Sequence, residues 1–278
     1  MGKSFRVGHS PDPDDAFLFY GLTQGKVELG DLTVTHVMEG IEQLNERALA
    51  GELEMTAISL HAYPYCAHRY LLLPTGASVG DRVGPIVVSK KPMTLEQLRE
   101  VTVAVPGHLT TAALLLQLAV GQVRQQVIPF DQILAAVQEE KVPAGVLIHE
   151  GQLTYRQWKL EKVLDLGEWW WQKTQFPVPL GVNVIRRDLG SGVIRQMDAA
   201  FRASLDYAMT HRPEAIQYAL KFARGVDQTT TERFVDMYVN RWSVECRPEA
   251  SAAMQRLLDW AAKEGLIPRR VPIEFVES

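Results

Sequence analysis

Cysteine, clustered positive charge and long apolar runs are all scarce in this chain, and each scarcity excludes a class of protein. Two cysteines, Cys66 and Cys246, occur in 278 residues. They form no CxxC and no metal-ligand spacing, which argues against a disulfide scaffold or a structural zinc site and for a reducing compartment. Basic residues number 29 against 33 acidic ones, a net charge of −4. Arg186-Arg187 and Arg269-Arg270 are isolated pairs, so the basic stripe that nucleic acid requires is missing. No apolar run approaches the roughly 18 residues that span a bilayer. The opening Met1-Gly2-Lys3-Ser4-Phe5-Arg6-Val7 carries no signal-peptide core. The expectation is a cytoplasmic protein with neither nucleic acid nor membrane as a partner.

What the chain does have is apolar content, 46% against 22% charged residues, enough for real cores in about two domains. Short apolar runs alternate with helical patterns, the mark of βαβ units. Strands are expected at Phe5–Gly8, Thr33–Met38, Met55–Ile58, Pro85–Ser89, Val101–Val105, Gln126–Ile128, Gly145–Ile148, Val163–Leu166 and Leu180–Ile185. Helices are expected at Pro13–Leu22, Ile41–Ala50 with Gly51 at its C-cap, Leu60–Ala67, Thr110–Val120 and Asp131–Glu140, with Asp131 near the cap of the last. The remainder reads as helical. Val193, Ile194, Met197, Phe201, Leu205 and Met209 recur at helix spacing. Thr229-Thr230-Thr231-Glu232 reads as a capping box, and Pro248 and Gly265 bracket a last helix that faces the core with Leu257, Leu258 and Ala261. Two apolar runs, Gly84–Ser89 and Gly181–Arg186, bracket the second set of units without a flexible linker. They suggest two strands crossing side by side between lobes: residues 1–87 plus 184–278 as one lobe, residues 88–183 as the other, and a cleft between.

Polar residues gather where strands end, the place where ligands collect in open α/β sheets. The run Ala144-Gly145-Val146-Leu147-Ile148 is a buried strand that delivers His149 and Glu150. A neutral imidazole is the side chain best suited to take a proton near neutral pH, although a histidine after such a strand is as often a satisfied structural residue. After the first strand come His9, Ser10, Asp12, Pro13, Asp14 and Asp15. Helix punctuation explains them, with Asp12 capping and Pro13 in the first turn. Their spacing fits no calcium loop, and no metal is expected. Ser59 precedes a short helix, and Gly107, Thr110 and Thr111 open another. Both helix starts offer N–H groups and hydroxyls to a carboxylate. His61 and His108 are lesser candidates, and Trp169-Trp170-Trp171 reads as packing.

These segments, taken in order, resemble the 1,4-dihydroxy-6-naphthoate synthases. Gly8-His9-Ser10-Pro11-Asp12-Pro13-Asp14-Asp15-Ala16-Phe17 is similar to that family's Ser-Pro-Cys-Pro-Asn-Asp-Thr-Phe opening. Ile41-Glu42-Gln43-Leu44-Asn45, Val83-Gly84-Pro85, Val105-Pro106-Gly107 with Thr110-Thr111, and Ile148-His149-Glu150 with Thr154-Tyr155 follow in the family's order. The resemblance implies a type II periplasmic-binding-protein-like fold of two α/β lobes joined by a two-stranded hinge. It implies a lyase that converts cyclic dehypoxanthine futalosine to the naphthoate in menaquinone biosynthesis, with no cofactor. His149 would be the proton acceptor, and Ala57, Ile58, Ser59, Thr110 and Thr111 would bind the small carboxylate substrate. His9, Ser10, Asp12, Asp14, Asn45 and Gly107 would lie around the cleft. The chain departs from the family at Asp12 for Cys, Asp14 for Asn, Ala16 for Thr and Ala57 for Lys, which makes one end of the site more acidic. A solute-binding protein for a small carboxylate and a chorismate dehydratase are the competing expectations.

Overall fold

Short strands that alternate with helices give this protein two mixed sheets with helices against them. The computed structural model describes residues 4–277. Its strands are β1 (Ser4–His9), β2 (Thr33–Met38), β3 (Met55–Ser59), β4 (Tyr70–Leu72), β5 (Ser78–Gly80), β6 (Ile86–Ser89), β7 (Thr102–Val105), β8 (Arg124–Val127), β9 (Ala144–Leu147), β10 (Glu161–Asp165) and β11 (Val178–Arg186). The first sheet runs β2-β1-β3-β11-β4, with β5 paired to β11; the second runs β10-β6-β9-β7-β8. The chain changes sheet between Gly80 and Ile86 on the way out and between Asp165 and Val178 on the way back.

Every residue of β3, β6 and β9 is buried, while β8 carries Arg124, Gln125 and Gln126 along an exposed edge. Charge and amide side chains on an edge strand oppose pairing with another chain. Within the first sheet β1 runs parallel to β2 and β3, and β11 runs antiparallel to β3, β4 and β5. One apolar cluster extends from Ile58 and Val182 of the first sheet to Val103 and Val146 of the second. Helices after residue 190 pack on the first sheet. Met197, Phe201 and Leu205 join Phe5 and Phe17 in one core cluster, and Leu257, Leu258 and Ala261 are fully buried in the other.

Several sequence expectations shift. The runs Gly84–Ser89 and Gly181–Arg186 do not pair with each other: β6 pairs β9 and β10, whereas the side-by-side crossing pairs Val178 with Gly80 and Gly181 with Ser78. The expected helix Pro13–Leu22 is two, Pro13–Leu18 and Tyr20–Thr23. Thr229-Thr230-Thr231-Glu232 is not a capping box. Helix Gln228–Tyr238 begins earlier, and Asp227 caps it by accepting from the Thr230 N–H at 2.7 Å. Asp131 lies inside a 3-10 turn, and the helix after it begins at Ile133. Met209 is 43% exposed, because it falls off the apolar face at the end of helix Ser191–Thr210. The short β4 and β5 and helix Leu95–Glu100 were not anticipated.

Candidate active site

Strand ends from both sheets enclose a cavity of about 100 Å³. The loop after β1 brings Ser10 and Asp12, and the helix it leads into brings Asp14 and Asp15; β3 brings Ala57, Ile58 and Ser59; the start of helix Thr111–Val120 brings Thr110, Thr111 and Ala112. Ile148 from the second sheet, Asn183 from β11 and Tyr238 complete the polar and apolar wall. The structure brings Ser59, Thr110 and Thr111, expected to bind substrate, to one cavity, and adds Asn183 and Tyr238 to its lining.

One wall is built to donate hydrogen bonds. Asn45, fully buried, accepts from the Ser59 N–H at 2.8 Å and donates Nδ2 to the Ser59 hydroxyl oxygen at 3.2 Å. With its oxygen already accepting, the Ser59 hydroxyl keeps its proton to give. Asn45 therefore stands behind Ser59 and does not line the cavity. Across from it, Thr110 caps its helix: its hydroxyl donates to the Gly107 carbonyl at 2.7 Å and accepts from the Ala113 N–H at 3.2 Å. The Thr111 hydroxyl donates to the Leu180 carbonyl at 2.6 Å and accepts from the His61 N–H at 3.2 Å. Both hydroxyls expected to meet a ligand are thus spent on structure. What the helix start offers is backbone. A first turn has four N–H groups without intrahelical partners, and capping occupies that of Ala113, leaving those of Thr111 and Ala112 beside the cavity at the positive end of the helix dipole.

The opposite wall is acidic. Ser10 donates its N–H to Asp15 at 2.8 Å and its hydroxyl to Asp12 at 3.0 Å. Asp12 precedes its helix as expected, but its carboxylate serves Ser10 and Arg224 and makes no side-chain cap bond. Burial, then the neighbouring Asp15 and Asp12, push the Asp14 carboxyl well above the usual carboxylate range. Burial raises Asp15 to about 6 against the pull of its Ser10 hydrogen bonds. Tyr238 donates its hydroxyl to Gln152 Oε1 at 2.8 Å, and burial and then that bond's opposing pull leave its phenol far above its ordinary value.

His149 does not face Ser59 and Thr110. Its ring is buried, Nε2 lies 2.9 Å from the Phe130 carbonyl, and Nδ1 accepts from the Gly151 N–H at 2.9 Å. The expectation of an imidazole open to the cleft is corrected in this conformation, because both ring nitrogens already have backbone partners. The pattern nevertheless fixes the tautomer: Nε2 carries the proton and Nδ1 carries the lone pair. Glu150 lies 3.7 Å from Nδ1 and pairs with Arg224 at 3.2 Å. Arg224 also donates to Asp12 at 2.7 Å and to the Pro11 carbonyl at 2.8 Å, and its guanidinium covers the Phe130 ring at 4.5 Å. One guanidinium thereby links the loop after β1 to the segment after β9.

Two further candidates move out of the cleft for identifiable reasons. His9 is stacked on Phe19 at 4.7 Å beside His36, and burial and then His36 lower it to about 4. Gly107 does permit a close approach, but the group it admits is the Glu42 carboxylate, which a Cβ there would strike. His61 is buried against the Thr110 carbonyl and lowered to about 4, chiefly by burial. His108 is exposed beside Gln125. Trp169 and Trp170 pack on Trp260 and none of the three tryptophans lines the cavity. Among the described residues no group of three or more His, Cys, Asp or Glu is arranged to hold a metal, and no helix is long and apolar enough to cross a membrane.

A two-lobed α/β frame with a cavity at the strand ends defines a protein of the periplasmic-binding-protein-like fold. The alkanesulfonate-binding protein of Xanthomonas axonopodis pv. citri shares that fold, with a TM-score of 0.72, 14% identity, and coverage of 98% of this chain and 97% of that one. A solved structure from Archaeoglobus fulgidus superposes with a TM-score of 0.91 at 46% identity, covering 95% of this chain and 98% of that one. The sequence profile for menaquinone biosynthesis matches residues 5–263. This chain belongs to that menaquinone-biosynthesis family. A 1,4-dihydroxy-6-naphthoate synthase of Thermus thermophilus is 41% identical over 95% of this chain and 96% of its own length. One of Streptomyces coelicolor is 34% identical over 97% and 96%.

Proposed function

We propose that this protein is a 1,4-dihydroxy-6-naphthoate synthase: a lyase that needs no cofactor and takes cyclic dehypoxanthine futalosine as its substrate. The observation that carries the reading is the donor wall of the cavity, where the Ser59 hydroxyl and the N–H groups of Thr111 and Ala112 converge. That set matches a carboxylate, the group common to substrate and product. Family membership supplies the rest of the inference.

The reaction begins with loss of a carbon-bound proton, and cleavage of a carbon–carbon bond then divides the substrate into the aromatic naphthoate and the remaining fragment, which departs as the second product. His149 is the proton acceptor in this reading. Its tautomer supports the role, with the Phe130 carbonyl orienting Nε2–H; to act, the buried ring must come to face the cavity and Nδ1 must exchange the Gly151 N–H for substrate. Catalytic hydrogen bonds often form only in the substrate complex. The lobes part about the Gly80–Val178 crossing to admit substrate and close to exclude water.

Incubation with the cyclic futalosine and detection of the naphthoate tests the reading. A solute-binding protein, which the occupied His149 nitrogens would suit equally, binds the carboxylate and releases it unchanged. Consumption of chorismate instead would identify a chorismate dehydratase. Recovery of unchanged substrate with either result overturns the proposal.

A further inference from the structure

Asn183 is 2% exposed on β11 and lines the cavity. Its Nδ2 donates to the Gly76 carbonyl at 2.9 Å, which fixes which way the amide points. Its Oδ1 is buried and has no hydrogen-bond partner among the described residues. Buried carbonyl oxygens are nearly always paired, so an orphan at a ligand cavity marks a place where a ligand completes the bond. The register explains how the oxygen reaches the cavity. Asn183 sits directly across from Ala57 on β3, and paired residues share one face of a sheet. Ala57, a cavity residue itself, presents only a methyl group there, so the neighbouring amide is not covered.

The cavity offers hydrogen bonds of both senses. Ser59 and the start of helix Thr111–Val120 give them; Asn183, on the same sheet face as Ser59 and one alternate pair along the register, accepts one, and Asp14 and Asp15 add carboxyl oxygens to the same cavity. A ligand that satisfies both has an anionic end and, away from it, a neutral O–H donor. We propose that Asn183 is a positioning residue whose Oδ1 accepts a hydrogen bond from a hydroxyl of the bound carboxylate, so that the site selects hydroxylated ring carboxylates over plain ones. The inference rests on the naphthoate reading above and assigns the group that orients the ring once its carboxylate is held. A site built around an acceptor rejects the ligand that lacks the hydroxyl, because the buried acceptor is then left unpaired.

The test compares 1,4-dihydroxy-6-naphthoate, kept reduced, with 2-naphthoate, which has the same skeleton and carboxylate and lacks both hydroxyls. Titration calorimetry on the wild-type chain is expected to show the dihydroxy acid binding about tenfold tighter or more. In Asn183→Leu the preference collapses because the dihydroxy acid weakens while 2-naphthoate holds. The Nδ2 anchor to Gly76 also supports the fold, so Asn183→Asp is measured beside it; it removes the anchor, keeps an acceptor and retains the preference. Equal wild-type affinity for the two acids overturns the assignment, as does equal weakening of both in Asn183→Leu or loss of the preference in a folded Asn183→Asp. Wild-type protein that binds neither acid overturns the naphthoate reading itself, and Asn183's role with it.

Discussion

The carboxylate of Glu42 accepts the backbone N–H of Leu109 at 3.0 Å. Glu42 belongs to the helix between β2 and β3, and Leu109 follows β7, so the bond joins the two sheets at one side of the cavity. Arg224 joins them at the other side through Asp12 and Glu150. These two clasps hold the sheets together beside the cavity, along with the Tyr238–Gln152 bond and the His61–Thr111 bond.

Breaking the first clasp has a modest effect. Glu42 is half-buried, and a hydrogen bond to a charged acceptor contributes about 1.5–3 kcal/mol before solvent screening. Glu42→Ala is expected to lower stability by about 1 kcal/mol and to shift the lobes toward the open form. Thermal unfolding and small-angle scattering of the ligand-free chain measure both. An unchanged scattering profile together with an unchanged melting temperature would show that the bond does not hold the lobes.

The second clasp is more demanding, because Glu150 is 3% exposed. Removing its partner leaves a buried carboxylate uncompensated, a loss of about 3–5 kcal/mol for a fully buried pair and less here since Arg224 is partly exposed. Arg224→Gln is expected to destabilise by about 2–3 kcal/mol, and Glu150→Gln in the same chain to restore part of the loss. Denaturant melts of the four proteins of the cycle give the coupling. Strictly additive losses would remove the pair from the account.

Asp14 supplies a pH dependence with a definite sign. Its folded carboxyl titrates well above the ordinary 3.8, because burial and then Asp15 and Asp12 oppose its charge. The folded state therefore binds this proton more tightly than the unfolded state, so the contribution is present below about pH 4 and is lost as pH rises. Asp14→Asn is expected to melt higher than wild type at pH 8, with the gap closing toward pH 4. His9 and His61 act in the opposite sense. Lowered to about 4 from 6.5, they favour the fold above pH 6.5 and withdraw that support as pH falls toward 4. Melting temperatures of wild type and Asp14→Asn across pH 4–8 decide it, and a gap independent of pH would contradict the assignment.

Ser59 and Asn45 should separate binding from chemistry. On the proposed function Ser59→Ala removes one donor to the substrate carboxylate, and a charge-assisted bond of about 1.4 kcal/mol or more corresponds to a tenfold or greater rise in KM. Asn45→Ala should raise KM through Ser59, which it holds at two atoms. Steady-state rates on the cyclic futalosine test the pair. A fall in kcat with KM unchanged would place Ser59 elsewhere in the mechanism.

The sequence made some of this legible and concealed the rest for physical reasons. The β-branched, partly exposed edge strand Thr33–Met38 and the fully buried strand expected at Met55–Ile58, found at Met55–Ser59, are readable because composition and periodicity report strand structure. β4 and β5 are three residues each, too short to show a pattern, and β5 forms the crossing that the longer runs were expected to make. Ser59 and Thr110 were visible as strand-end polar residues. Asn183 was not, since it lies in the middle of a strand and its role depends on Ala57 across the register. Arg224, an isolated basic residue in a loop with φ of 46°, gives no local signal for partners more than 70 residues away in sequence. His149 was found as a residue, but the backbone groups that hold its ring, Phe130 and Gly151, leave no mark in a sequence pattern.

The central claim is that His149 takes the substrate proton at a site that otherwise needs no other base. Single-turnover conversion of cyclic dehypoxanthine futalosine by wild type, His149→Ala and Asp14→Asn tests it most directly. The account predicts naphthoate from wild type and from Asp14→Asn, and a loss of about a thousandfold in His149→Ala, within the range a general base contributes, with the His149→Ala chain still folded. Full activity in His149→Ala, or a comparable loss confined to Asp14→Asn, would contradict it and move the proton to the acidic wall of the cavity.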